Sequence, residues 1–270
     1  MTADFAGLDG RLGRLKTCLA ALDSLLIAYS GGVDSSCLLA VASEVLGDRA
    51  LGVIADSPSL PRASLQAAID QARAMNATVE VIATTEFSDP DYSANPPNRC
   101  YFCKAELFQS MEKLARSRGF AALAYGENAD DPPTARPGSL AAREFAVLAP
   151  LREAGLGKAD VREIARRLGL ESHDAPSQPC LSSRIPHGIP VTPESVALIE
   201  RGEEAVRALG FRILRVRLAE VDPPAALVQV APSELPALHA CADRVRSALL
   251  GTGFAKVEID PAGYRGAGIA

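Results

Sequence analysis

Apolar residues return every three or four positions through Leu8, Leu12, Leu15, Leu19 and Leu22, so the chain opens with an amphipathic helix. The apolar run Leu25–Ala28 is too short for a helix and reads as a first strand. Similar runs at 50–55, 79–83, 121–125 and 145–148 predict strands two to five. Helical spacing follows the first strand through Leu38, Leu39, Val41, Ala42, Val45 and Leu46, and recurs over 61–75, 99–117 and 158–168. Short apolar strands separated by helices predict a parallel sheet covered on both faces. Such sheets bind ligands beyond the carboxyl ends of their strands. Three positions there stand out: the Ser30 turn, Asp56-Ser57, and Gly126-Glu127-Asn128, which are expected to surround one crevice.

The pattern changes near residue 171. Residues 171–190 hold four prolines and no clear period, which reads as a loop or linker. A second, α+β unit follows. Thr192 is placed to cap a helix with Pro193 at its first position, running through Val196, Ile199, Val206 and Leu209 to Gly210. A strand is predicted over 211–218, with Leu214, Val216 and Leu218 on one face and Arg215 and Arg217 on the other. A strand at 227–230, a helix over 233–250 and a last strand at 254–259 complete it. The expected domains are therefore residues 1–175 and 176–270.

A chain of 270 residues that is 48% hydrophobic can bury a full core, and its length suits one larger and one smaller domain. No apolar run is long enough to span a membrane, and the amino terminus lacks the basic-then-apolar order of a secretion signal. A cytoplasmic address is expected. The net charge of −5 argues against a mainly electrostatic grip on nucleic acid. In that setting the six cysteines are not expected to form disulfides, and clustered ones read as metal or redox groups.

Between the first strand and its helix lies Tyr29-Ser30-Gly31-Gly32-Val33-Asp34-Ser35-Ser36. Glycines there let successive N–H groups turn toward an anion, and the helix start adds its positive dipole end. Ser30, Ser35 and Ser36 offer hydroxyls, and Asp34 offers a hard oxygen for Mg2+ carried by a nucleotide. An ordinary strand-to-helix turn is the alternative for Gly31-Gly32 alone; the whole SGGxDS string favours nucleotide binding.

Cys100 and Cys103 form a CxxC pair at a helix start, flanked by Arg99 and Lys104, a setting that favours thiolate. Cys180 stands on the proline-rich loop, in Ser177-Gln178-Pro179-Cys180-Leu181-Ser182-Ser183-Arg184. A redox pair or a chance spacing remains open for CxxC alone. Cys18, Cys37 and Cys241 lie in helical apolar patterns and are expected to be buried small hydrophobes.

The SGGxDS loop, the string from Asn98 to Lys104, the run from Pro179 to Ile185, Arg215-Val216-Arg217 and Gly263-Tyr264-Arg265-Gly266 together resemble the LarE family of ATP-dependent sulfur transferases. The resemblance spans nearly the whole chain. It implies an α/β fold: a PP-loop ATP pyrophosphatase domain (adenine nucleotide alpha hydrolase-like) with a smaller C-terminal α+β domain for substrate binding and assembly. SGGxDS alone would indicate only the wider PP-loop group, which includes GMP synthetase, NAD synthetase and tRNA thiolation enzymes.

The resemblance implies that ATP and Mg2+ bind at Ser30, Gly31, Gly32, Val33, Asp34, Ser35 and Ser36, with Asp56 and Gly126 lining the nucleotide. A carboxylate of pyridinium-3,5-biscarboxylic acid mononucleotide would be adenylated, and sulfur would then displace AMP. This is a step in making the nickel pincer nucleotide cofactor of lactate racemase. Lys104 would add positive charge. Ser183, Arg184, Glu203, Arg215 and Arg217 match positions that hold or frame the substrate phosphate. In one LarE type the cysteine matching Cys180 gives up its own sulfur; in another, three cysteines hold a 4Fe-4S cluster carrying an extra sulfide. The set Cys100, Cys103 and Cys180 favours the cluster type, since three thiolates leave one iron open. Zinc on the three thiols plus His173 or His187 is a further possibility. A homo-oligomer is also implied. After Arg217 the family commonly continues with a His-Gly turn, whereas this chain reads Leu218-Ala219-Glu220-Val221-Asp222-Pro223-Pro224. A tRNA thiolase and a non-catalytic ATP-binding regulatory module are the competing functions. The acidic composition opposes the first, and a sensor would have little use for the three cysteines.

Overall fold

The computed structural model describes residues 5–132, 137–175 and 178–264. Ser177, Arg265 and Gly266 of the motifs above lie outside these. In chain order the elements are α1 (Phe5–Ala20), β1 (Leu25–Ala28), α2 (Val33–Leu46), β2 (Ala50–Asp56), α3 (Arg62–Ala74), β3 (Val79–Ala83), α4 (Pro90–Ser93), α5 (Arg99–Arg118), β4 (Ala122–Tyr125), α6 (Pro137–Glu144), α7 (Pro150–Glu153) and α8 (Lys158–Arg167). There follow α9 (Pro193–Arg207), β5 (Leu214–Val221), β6 (Pro224–Val230), α10 (Leu235–Ala240), α11 (Ala242–Thr252) and β7 (Lys256–Ile259). No described helix is long and apolar enough to cross a membrane.

Over its described residues the chain forms two compact units. The first comprises Met1–Ser57, Arg62–Glu86 and Asn98–Gln178. Its sheet has the order β3-β2-β1-β4 with every pairing parallel. β1 is central because Leu25, Leu26 and Ile27 are fully buried, which a strand achieves only when both faces are covered. Leu15 and Leu19 of α1, Leu38 and Leu39 of α2, and Phe108 and Met111 of α5 supply buried cover. Truncating any one of these leucines to alanine costs about 2–5 kcal/mol through lost transfer energy and the cavity left behind. From β1 the chain steps to β2 on one side, and β4 pairs on the other. The strand order thus reverses at the carboxyl end of β1, where doubly wound sheets bind ligands.

The expected fifth strand at 145–148 does not form. Phe145 and Val147 donate back to Ala141 and Ala142 as α6 ends, Ala146 has φ of 49°, and Pro150 starts α7. Only Leu148 remains extended, making a single parallel bridge beside Ala124. Cys37 is fully buried, but Cys18 is exposed: it lies about 100° round α1 from the buried Leu19.

The second unit comprises Pro58–Pro61, Phe87–Pro97 and Pro179–Ala270, over their described residues. Its sheet has the order β5-β6-β7, antiparallel then parallel. Leu214, Val216 and Leu218 are buried and Arg215 and Arg217 are not, as alternation requires. Val216 and Val228, Ile199 and Val206 of α9, and Leu249 of α11 are all without exposure. Thr192 accepts the Ser195 N–H at 3.1 Å, and Pro193 opens α9. The helix expected over 233–250 is broken at Cys241 (φ −120°, ψ 24°), which is half-exposed rather than buried. Asp243 then complements the dipole of the new first turn.

Candidate nucleotide and cysteine sites

Within the first unit, β1 ends at the loop and α2 begins at Val33 behind Gly32, with no side chain capping its first turn. The leading N–H groups of a helix have no partner in their own helix, so this turn presents unsatisfied donors and the positive dipole end. Gly31 has φ of +75°, and a Cβ there would fall 2.9 Å from the Ala68 side chain. Gly32, by contrast, has an ordinary φ of −72°. Ser35 Oγ donates to the Gly32 carbonyl at 3.0 Å, receives the Ser30 N–H at 3.2 Å and lies 3.2 Å from Ser30 Oγ. Val33 is buried beneath the loop. Ser36 is fully buried and donates to Gln71 at 3.0 Å, so its hydroxyl is spent on α3.

Gly126, at the end of β4, lies against the loop: a Cβ there would be 2.7 Å from Ser35 N and 2.9 Å from Asp34 C. Asn128 donates to Asp34 Oδ1 at 3.3 Å, and Lys158 Nζ donates to Asp34 Oδ2 at 2.6 Å. Lys158 thus reaches the loop, a candidate residue that sequence reasoning missed. The available signal was its place as first residue of α8, where the helix dipole disfavours a cation. Asp130 draws that terminus in, accepting the Lys158 N–H at 2.7 Å. Asp56, at the end of β2, pairs with Arg62 at 2.5 Å, and the neighbouring Ser57 hydroxyl donates to the buried Glu86 carboxylate. Burial pushes the Cys37 thiol, with help from the Asp34 charge, up to about 12, which leaves it unreactive beneath the loop.

Behind Gly126, Glu127 accepts from Ser139 and Tyr125 at 2.6 Å each and from Arg152 at 3.1 Å. Burial alone would raise the Glu127 pKa, but these donors hold it below its ordinary value.

Cys100 and Cys103 stand near the start of α5, exposed and half-exposed respectively, and neither is in a disulfide. Gly138 lets α6 approach this turn: a Cβ there would lie 3.1 Å from Lys104 Cγ. Lys104 Nζ lies 5.6 Å from the Phe108 ring centroid. Two accessible thiols a turn apart suit an iron-sulfur or zinc site as part of its donor set. Among the described residues, no three His, Cys, Asp or Glu side chains are gathered as a metal site. His173 Nδ1 donates to the Leu170 carbonyl at 2.8 Å, and its Nε2 faces Asp174 at 3.0 Å.

In the second unit, Cys180 precedes a single 3-10 turn, Leu181–Arg184, and is half-exposed. That turn is held on every side. Leu181 N donates to Ser59, Ser182 Oγ meets Tyr92 Oη at 2.9 Å, and Asn95 donates to the carbonyls of Pro186 and Ile189 at 2.8 Å. Arg184 is 3% exposed and forms a two-point pair with Glu203, at 2.8 and 3.2 Å. Its Nη1 donates to the carbonyls of Pro179 and Cys180 and to Ser183 Oγ. Glu203 also accepts the Val216 N–H at 3.3 Å. The guanidinium therefore sets the backbone on which the Cys180 thiol stands.

Arg217 donates to Gln229 at 2.7 Å and to the Ser183 carbonyl at 3.1 Å. Arg215 lies 4.6 Å from the Tyr264 ring centroid and donates to Leu214 O at 2.7 Å. Burial, then the Arg184 charge, holds the Arg215 pKa below its ordinary value. Among the described residues neither Arg215 nor Arg217 forms an ion pair with a carboxylate. Glu203 and Asp260 reach these cations through charge alone, and guanidinium donors left without a direct carboxylate partner suit an anionic ligand.

The parallel sheet, its strand-order reversal and the SGGxDS turn define an α/β protein with a PP-loop domain. The chain is 30% identical over 261 residues, 96% of its length and 94% of the relative's, to the pyridinium-3,5-bisthiocarboxylic acid mononucleotide synthase of Lactiplantibacillus plantarum. It belongs to that synthase family, the LarE family. It is also 42% identical over 226 residues to an uncharacterized protein of Synechocystis, covering 82% of this chain and 84% of that one. An uncharacterized protein of Methanocaldococcus jannaschii is 32% identical over 193 residues, 72% of this chain and 73% of its own. No protein-family model matches the chain.

Proposed function

We propose that this protein is an ATP-dependent sulfur transferase that converts a carboxylate of pyridinium-3,5-biscarboxylic acid mononucleotide to a thiocarboxylate, serving nickel pincer nucleotide synthesis. The observation that carries the reading is the uncapped start of α2, with Asp34 and Lys158 beside it, in a chain related over nearly its whole length to the Lactiplantibacillus synthase. On this reading residues 1–175 bind the nucleotide, and residues 176–270 bind the substrate and serve assembly.

The first step is attack of a substrate carboxylate oxygen on the ATP α-phosphorus, breaking the α–β anhydride bond and releasing pyrophosphate. The leading N–H groups of α2 and Lys158 are suited to stabilise charge on the departing pyrophosphate, because they are oriented before the reaction begins. Asp34 is the residue suited to Mg2+ held by the nucleotide phosphates; Lys158 would exchange its pair with Asp34 for phosphate oxygens. Asp56, Gly126 and Lys104 complete the nucleotide side. The second step is attack of a sulfur nucleophile on the acyl carbon, with AMP leaving as the carbon–oxygen bond breaks. Arg215 and Arg217, framed by Ser183, Arg184 and Glu203, are suited to the substrate phosphate. Cys100, Cys103 and Cys180 would hold a 4Fe-4S cluster, which when bound supplies sulfide at the iron that lacks a protein ligand.

The test is anaerobic incubation of iron- and sulfide-reconstituted protein with ATP, Mg2+ and the mononucleotide, following AMP, pyrophosphate and substrate mass. Equal AMP and pyrophosphate with exchange of oxygen for sulfur is expected. Absence of AMP overturns the reading and leaves an ATP-binding regulatory module, while AMP formed only with tRNA present points to a tRNA thiolase. Turnover by iron-free protein, limited to one per chain and converting Cys180 to dehydroalanine, would identify Cys180 as the sulfur donor in place of the cluster.

A further inference from the structure

The nucleotide loop is braced from beneath by one side chain that bears on both its flanks. Tyr29, the last residue before the loop, is 2% exposed, and its hydroxyl lies 3.0 Å from the Ala68 carbonyl and 3.1 Å from Gln71 Oε1. Ser36, just after the loop, has no exposure and donates to the same Gln71 Oε1 at 3.0 Å. Gln71 Nε2 donates to Ser172 Oγ at 2.7 Å, so the amide is itself oriented from the segment after α8. One turn earlier on the same helix, Ala68 is the atom group against which Gly31 closes.

The two flanks of the loop and its glycine thus rest on successive turns of α3. An amide suits this place because its oxygen carries two lone pairs, accepting from Tyr29 and Ser36 together while its nitrogen donates to Ser172. An apolar side chain of similar length would take this acceptor from the fully buried Ser36 hydroxyl and leave Tyr29 only the Ala68 carbonyl, and the penalty would fall on the residues that set loop height. We infer that Gln71 is a positioning residue for the phosphate loop: it never meets the nucleotide, and it sets the separation of the Ser30 and Ser35 ends through Tyr29 and Ser36. This rests on the ATP reading above and deepens it.

The experiment is calorimetric titration of the full chain with α,β-methylene ATP and Mg2+, alongside thermal melting, for wild type, Gln71→Met and Gln71→Glu. Gln71→Met is expected to bind the analogue about tenfold more weakly. Gln71→Glu keeps both acceptor positions and is expected to bind close to wild type, although its link to Ser172 is weakened. Tight binding by Gln71→Met overturns the inference, even if its melting temperature falls. So does equal loss of binding in both variants. If wild type itself fails to bind the analogue, the nucleotide reading falls and takes the inference with it, whereas normal wild-type binding with an unaffected Gln71→Met sinks the inference alone.

Discussion

Lys158 Nζ lies 2.6 Å from Asp34 Oδ2, joining the first residue of α8 to the first turn of α2 across 124 positions of sequence. The Lys158 side chain is 40% exposed and that of Asp34 22%, so the pair is open enough to exchange partners when an anion arrives. A solvent-accessible ion pair contributes at most about 1 kcal/mol to stability, so function rather than folding is the greater use of this contact.

Lys158→Met is therefore expected to leave the melting temperature nearly unchanged and to raise the KM for ATP at least ~10-fold, with a further loss in AMP formation rate. Initial-rate kinetics with ATP varied at saturating mononucleotide would check this. A variant with wild-type KM and rate would assign Lys158 a structural role only.

Gly126→Ala should abolish nucleotide binding, because its Cβ would press on the backbone of Asp34 and Ser35 and neither can retreat without moving the helix start. Gly47→Ala is the control: nothing lies within 4 Å, but its φ of +59° with ψ of −132° is a conformation that suits glycine, so it should cost about 1–3 kcal/mol of stability and leave binding intact. Chemical denaturation paired with nucleotide titration separates the two outcomes.

Glu203→Gln removes the charge opposite Arg184 where both side chains are below 5% exposed. Stranding the buried guanidinium is expected to cost about 3–5 kcal/mol, read as a fall in the denaturant midpoint at unchanged slope. Glu203→Ala with Arg184→Met should recover part of that loss, since removing both charges leaves none unpaired. An Arg184 that tolerates Glu203→Gln would show that its carbonyl acceptors suffice.

Acid should weaken the first unit through Glu127. Its folded pKa is lowered against opposing burial by Ser139, Tyr125 and Arg152, so the stability it lends is fully present above the ordinary glutamate range near 4.3. That contribution is lost as pH falls through the lowered folded value. Glu127→Gln is expected to flatten this part of the stability profile, measured by denaturation at stepped pH. An unchanged acid limb would remove Glu127 as its source.

Much of this protein was legible in its linear pattern, for reasons that are local. Parallel strands buried on both faces are continuous apolar runs, which made β1 and most of β2 readable, while the edge strand β3, carrying Glu80, was read from Val79, Val81 and Ile82. The glycine turn was readable because SGGxDS carries its own geometry. The fifth strand failed because Phe145 and Ala146 were needed to close α6, a helix with weak apolar spacing. Arg184 was readable as important but not as the anchor of the Cys180 backbone, since its acceptors are carbonyls that any residue could supply.

By itself the sequence determined the alternation of elements, the SGGxDS turn and the cysteine pattern, because each rests on periodicity or on residues a few positions apart, and the family, because those short motifs recur together along the chain. Tertiary structure decided what no local window contains: that Lys158 meets Asp34, that Gly126 must lack a side chain, that Ser36 turns to Gln71 rather than to the loop, and that 58–61 and 87–97 pack with the second unit. These depend on which surfaces close packing brings together after 30 to 120 intervening residues, and hydrophobic burial sets that without leaving a repeat in the chain.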